Sequence, residues 1–204
     1  MENSNKTINR REALRRTAMV MGTALSASTI AGIMHGCKAE PEIAWTPTFF
    51  DEPQAKFISL MSETIIPRTA TPGAREVGVP KFIEDMVGTV GSEEQQREFI
   101  SGLQACQAWC KEQAGDDFIY LDAEKQLELV QNLDASAKAQ RFENADTSEK
   151  DKQSLDFFWT MKELTVTGFF TSEVGASQVL QYKAIPTEYH GCVPLSEVGK
   201  TWAT

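Results

Sequence analysis

The sequence predicts an all-α fold, a single compact bundle-like helical domain behind an N-terminal export segment. Three observations carry this prediction. Apolar side chains recur at spacings of three and four in several separate stretches, the period of a helix with one buried face. Ser, Thr or Asp precedes several of these stretches, where a side-chain oxygen can cap the first turn. No stretch alternates apolar and polar residues convincingly, and no internal repeat is present.

A chain of 204 residues accommodates one domain plus a leader. Residues 1–36 carry five Lys/Arg against two Glu, or +3, which leaves −12 for the remainder of a chain with net charge −9. So acidic a domain repels phosphate and is not expected to bind nucleic acid.

Residues 1–36 read as an address rather than as folded structure. Asn9-Arg10-Arg11-Glu12-Ala13-Leu14-Arg15 approximates a twin-arginine export motif, with Ala13 where a bulkier Phe is commoner. The uncharged run from Thr17 to Met34 is rich in Ala, Gly, Ser and Thr. It is less apolar than secure membrane insertion requires, which suits export of a folded protein. Gly36 then precedes Cys37, and a small residue before Cys is what a bacterial lipoprotein peptidase needs, although Met34 and His35 fit that site poorly. A diacylglycerol on Cys37 would give a stable two-chain anchor. An unmodified Cys37 and a retained N-terminal anchor are the alternatives. Residues 37–48, with Pro41 and Pro47, read as a linker to a domain spanning 49–204.

Phe49 to Thr64 is the first predicted helix, with Phe57, Leu60, Met61 and Thr64 or Ile65 on one face. Pro67 ends it, because its ring bars the helical conformation at Ile66. Residues 68–80 form a loop punctuated by Pro72-Gly73, Gly78 and Pro80, read either as a connection or as a binding loop. Lys81 to Val87 makes a helical segment that is expected to end near Gly88 and Gly91. Those glycines are too sparse for a phosphate cradle, and no strand precedes them. Ser92-x-x-Gln95 is a capping box opening a long helix to about Ala114, with Phe99, Leu103, Cys106 and Cys110 on one face. Asp122 caps a further helix in which Leu127, Val130 and Leu133 are expected to point inward.

From Asp134 to Asp151 the composition turns to Ala, Lys, Asp, Glu and Ser, an exposed connection or a solvated helix. Thr147 or Ser148 caps the most distinctive helix, in which Leu155, Phe158, Trp159, Met161 and Thr165 form a stripe that Leu164 and Val166 widen. The pattern is expected to break at Gly168-Phe169-Phe170. Ser172 can then start a short helix through Glu173 and Gln178. Two adjacent rings point in different directions. If one is core, the other faces outward or into a neighbouring subunit. Phe169, Phe170, Glu173, Tyr182 and Tyr189 are therefore the candidates for a partner-binding face.

Chemistry is sparse. With Cys37 set aside, Cys106, Cys110 and Cys192 remain. Three readings stay open: Cys192 paired with one of the other two, Cys192 paired with another subunit, or all three as buried thiols. These three with His190 make up a zinc-like donor set, but not at the usual paired-ligand spacing. No haem-attachment or dinucleotide fingerprint occurs. His190 is the one histidine after the leader, so a Ser-His-Asp relay would rest on it alone. Glu173 sits at a helix start, where a carboxylate favours the dipole without any catalytic role. No catalytic, cofactor or metal residue is assigned.

Two segments resemble a known family. Lys162-Glu163-Leu164-Thr165, Gly168-Phe169-Phe170-Thr171-Ser172-Glu173, Gly175, Gln178, Tyr182, Pro186, Tyr189, Gly191 and Cys192 are similar to the C-terminal signature of the gluconate 2-dehydrogenase subunit 3 family. Ile65-Ile66-Pro67-Arg68-Thr69-Ala70-Thr71-Pro72-Gly73-Ala74, with Gly78-Val79 and Phe82-Ile83, resembles its other marker. Ala70 stands where an acidic residue is expected, and Thr187 where a Gly often follows the proline. The resemblance covers roughly Phe57 to Cys192. It implies a small exported, non-catalytic subunit of a membrane-associated sugar or polyol dehydrogenase. FAD is then expected in a GMC-type catalytic partner, and a cytochrome c subunit often takes the electrons. Two other classes stay open: a self-sufficient periplasmic metal or redox protein using Cys106, Cys110, Cys192 and His190, and a plain lipid-anchored scaffold.

Overall fold

The computed structural model describes residues 43–143, 147–185 and 191–203, all within the unit Glu40–Thr204. Arg10, Arg11, Cys37, Tyr189 and His190 lie outside the described residues. The architecture is all-α, and the described residues hold no strand beyond one isolated bridge between Gln181 and Trp202. None of their helices is long and apolar enough to cross a membrane.

Helix α1 is Glu52–Ile65. It begins three residues later than the apolar pattern suggests, because Asp51 and Gln54 form a capping box and Pro53 occupies the first turn. Phe57, Ile58 and Met61 form its buried face. The chain leaves the helical conformation at Ile66, as Pro67 requires. Helix α2 is Val79–Asp85 and runs directly into a π-helical turn, Met86–Val90. Gly88 therefore lies inside a helical turn, and termination falls at Gly91, whose backbone is extended.

Helix α3, Glu93–Ala114, opens on the Ser92–Gln95 capping box and ends on Gly115 in the left-handed conformation. Phe99, Leu103, Cys106 and Cys110 are all buried, as their spacing predicts. A single 3₁₀ turn, Phe118–Tyr120, leads to α4, Ala123–Phe142, which Asp122 caps through the Lys125 amide. Leu127 departs from expectation and is 44% exposed. The buried stripe is Gln126, Leu129, Val130, Leu133 and Ala137, and Leu127 lies about 100° around the helix from Gln126. The polar stretch after Asp134 continues this helix to Phe142, since Ala137 still faces the core.

Helix α5, Glu149–Thr171, starts at Ser148, whose hydroxyl accepts from the Asp151 amide. It packs against α1, α2, α3 and α4 and forms the middle of the bundle. Leu155, Phe157, Phe158, Met161 and Thr165 are buried. Thr165 needs no distant partner, because its hydroxyl donates to the Met161 carbonyl at 2.7 Å. Rings join α5 to α3 through Phe99 and Phe157, with centroids 5.0 Å apart. Val166 does not widen the stripe; it lies about 100° around the helix from Thr165 and is 39% exposed.

The expected break at Gly168 does not occur, and α5 continues to Thr171. Glycine is required there for close packing instead. A Cβ at Gly168 would stand 2.6 Å from Cδ1 of Phe82, which is closer than carbon atoms tolerate. The missing side chain lets α2 lay an aromatic ring on the last turns of α5.

Candidate functional site: a partner-docking face

The loop between α1 and α2 is exposed at its tip yet held at its base. The Ala74 amide donates to the Ile66 carbonyl at 2.9 Å, and Ala74 itself is buried. Glu63, on the last turns of α1, accepts from the amides of Arg68 at 3.1 Å and Arg75 at 2.9 Å. Glu76 accepts from the Gly73 amide at 3.1 Å and pairs with the Arg68 guanidinium at 2.8 Å. Two carboxylates thus add to the loop's own backbone hydrogen bonds. Pro67, Arg68, Thr69 and Ala70 stay in solvent. A loop fixed by a rigid scaffold but presented outward is a common carrier of recognition.

Helix α2 connects this loop to the end of α5 through the Phe82–Gly168 contact. Beyond it the two adjacent phenylalanines divide. Phe169 is 2% exposed and belongs to the core, whereas Phe170 is only partly buried, and the rings meet edge to face at 5.3 Å. Burial takes Phe169 out of the set of side chains that can touch a partner directly. Phe170 remains in it.

Ser172 then turns the chain. Its hydroxyl donates to the Phe169 carbonyl at 2.6 Å and accepts from the Gly175 amide at 3.1 Å. The short helix expected here is present: Glu173 and Val174 are helical and run into a π-helix, Gly175–Val179. Glu173 is exposed.

The C-terminal segment doubles back on Gln181. The Gln181 amide donates to the Thr201 carbonyl and the Ala203 amide to the Gln181 carbonyl, both at 2.8 Å. The Gln181 side chain donates to the carbonyls of Val198 and Lys200, and the Lys200 ammonium reaches the Gln178 carbonyl at 3.1 Å. Helix α6, Leu195–Val198, lies within this clasp. The clasp holds a group of large side chains in solvent: Tyr182 is 65%, Ile185 76% and Trp202 49% exposed, and Val193 is exposed as well. Uncovered large apolar side chains on a segment held in place are candidates for burial against a partner.

A second uncovered aromatic group lies between α4 and α5. Phe142 meets Trp159 edge to face at 5.6 Å, and the Arg141 guanidinium lies 4.7 Å from the same indole ring. Trp159 donates to Glu163 at 2.7 Å. Beneath it Asp134 pairs with both Lys138 and Lys162. Burial pushes the Asp134 carboxyl up, but the two ammonium groups outweigh it and hold the carboxyl below its usual range. The Phe142 ring is 67% exposed.

The cysteines take different places. Cys106 and Cys110 are fully buried thiols on α3, and Cys192 is an exposed thiol. The hydrogen bond to Cys110, together with burial, raises the Cys106 thiol well above its ordinary value, so it stays protonated and unreactive. No three His, Cys, Asp or Glu side chains gather to hold a metal among the described residues.

Residues 52–187 match the family described as gluconate 2-dehydrogenase subunit 3. The chain belongs to this family. No curated protein and no solved structure matches it. Membership makes it a subunit-type protein of a gluconate 2-dehydrogenase complex, associated with that enzyme's other subunits. The two segments that carry the resemblance touch where Phe82 meets Gly168.

Two features escaped the sequence. One is the Phe142–Trp159 pair, whose partners come from different helices. The other is Glu84, a buried carboxylate that holds the segment before α1. Ile43 and Trp45, apolar residues within the stretch 37–48 that reads as linker, are the sequence's signal that this segment packs on the bundle.

Proposed function

We propose that this family member is a non-catalytic accessory subunit of a flavin-dependent sugar or polyol dehydrogenase. It binds the folded catalytic flavoprotein through the C-terminal face and supports its export by the twin-arginine route. The exposed apolar group on the Gln181 clasp is the observation that carries this reading. Tyr182 and Trp202 are the aromatic anchors on that face, and Phe170, at the end of α5, is a further partly exposed ring. Large rings of this kind dominate interface energies where they become buried. The pre-ordered loop 66–78 supplies polar contacts at the other end of α2. FAD belongs to the partner, and attachment to the periplasmic side of the membrane follows from lipidated Cys37.

The twin-arginine route accepts folded cargo, and Arg10 and Arg11 then serve the pair rather than this chain alone. Capture of the catalytic subunit by immobilised wild-type, Tyr182→Ala, Trp202→Ala and Phe142→Ala chains tests the docking face. The first two substitutions are expected to weaken capture strongly, and Phe142→Ala to leave it intact. Capture lost with Phe142→Ala but retained with Tyr182→Ala and Trp202→Ala would move the face to α4 and α5.

A further inference from the structure

Glu84 is 2% exposed, and its carboxylate accepts four hydrogen bonds from the segment that precedes α1. Oε1 takes the amides of Thr48 at 2.8 Å, Phe49 at 2.9 Å and Phe50 at 3.2 Å. Oε2 takes the Trp45 indole N–H at 2.7 Å. Three consecutive amides converging on one anion form a backbone nest, a device more familiar from bound phosphate than from a side chain.

The receiving surface is built to fit. The π turn just after Glu84 brings Gly88 under the strap, where a Cβ would meet the Phe49 ring at 2.7 Å. Gln96 holds that turn by donating to the carbonyls of Gly88 and Gly91, both at 3.1 Å. Phe50 packs on Phe49 and on Phe99 of α3. By contrast, no backbone–backbone hydrogen bond ties residues 43–50 to the helices among the described residues. The strap is attached by one charge and by apolar packing, with Phe50 in the core and Ile43, Trp45 and Phe49 packed against it.

We propose that Glu84 is the latch of a detachable strap: the ionised carboxylate holds Ile43–Phe50 on the bundle, and without its charge the segment opens as a unit while the helices stay folded. Each amide bonded to a carboxylate contributes more than a neutral pair, and all of those bonds here end on one side chain. Opening frees eight residues, about 27 Å of extra reach at 3.3–3.6 Å per residue. The use of that reach by an anchored subunit rests on the reading above; the latch itself does not.

Amide hydrogen exchange on the full chain tests the latch without any partner or membrane. In Glu84→Gln the amides of Thr48, Phe49 and Phe50 are expected to exchange about a hundredfold faster, equivalent to two charge-assisted bonds lost. Amides at Phe158 and Met161 in α5 should keep their protection. Trp45→Phe removes only one of the four bonds and should accelerate the same three amides about tenfold. Unchanged strap exchange in both variants would overturn the proposal. So would equal acceleration in α5, or a Glu84→Gln chain that fails to fold, since either result makes the strap part of the bundle's own cooperative unit.

Discussion

Replacing Phe169 and Phe170 one at a time separates the core from the docking face at adjacent positions. Phe169 is 2% exposed at the end of α5. Truncating a buried Phe to Ala costs about 3–5 kcal/mol through lost transfer energy and the cavity left behind. A domain of this size loses about 2–4 °C in Tm per kcal/mol, so Phe169→Ala should lower Tm by roughly 6–20 °C. Phe170 keeps exposed surface and contributes chiefly an edge-to-face contact with Phe169. Its truncation should cost about 1–2 kcal/mol, a fall of roughly 2–8 °C. Capture of the flavoprotein should respond in the opposite order. At a temperature where both variants are folded, Phe170→Ala should weaken binding about thirtyfold, the effect of a 2 kcal/mol anchor. Phe169→Ala should change it little. Thermal unfolding by circular dichroism and quantitative pull-down read the two effects separately. Equal losses of Tm, with capture simply following stability, would refute the division of roles.

Three further outcomes follow from individual contacts. Gly168→Ala should destabilise by about 1–3 kcal/mol despite alanine's better helix propensity, because its Cβ meets the Phe82 ring; Phe82→Ala in the same chain should recover part of that loss, read by a double-mutant cycle. In a reduced chain carrying Cys37→Ser, Cys192 should react with a maleimide in the folded state, while Cys106 and Cys110 should react only on unfolding, as mass spectrometry of labelled peptides would report. For Glu84, burial raises the carboxyl, but the amides of Phe49, Thr48 and Phe50 and the Trp45 indole outweigh burial and lower it below its ordinary value. A carboxyl lowered by folding contributes stability fully above the unfolded value, and that contribution is lost as pH falls through the lower folded value. Exchange at Thr48–Phe50 should therefore accelerate in acid, below the ordinary glutamate range, and the acceleration should vanish in Glu84→Gln.

The fold was legible where the helical period and the caps agreed. Ser92 with Gln95, Asp122 and Ser148 mark helix starts in the sequence and cap them in the structure. The stripes Phe99–Cys110 and Leu155–Thr165 name core residues, Trp159 excepted, because a single face is buried on each helix and Trp159 lies at its margin. Gly168 was misread because a glycine in a helical pattern has two meanings, a break or a close approach, and only the position of Phe82 on another helix decides between them. Leu127 and Val166 illustrate the width of a buried face, since an apolar residue about 100° away reaches solvent. Glu84 was illegible for a different reason. Its four partners lie 34 to 39 residues away in sequence, and no local pattern marks a carboxylate that will serve a distant backbone. The docking face was legible in part. Phe170 and Tyr182 stood out by residue type, while the prominence of Trp202 depends on the backbone clasp at Gln181.

The central claim is that this subunit holds a flavin-loaded catalytic partner, and affinity purification of the tagged chain from native membranes tests it most directly. The account predicts an equimolar large subunit carrying FAD, with dehydrogenase activity towards a sugar acid or polyol residing in that subunit. A chain that purifies alone, or with partners that contain no flavin, would contradict it.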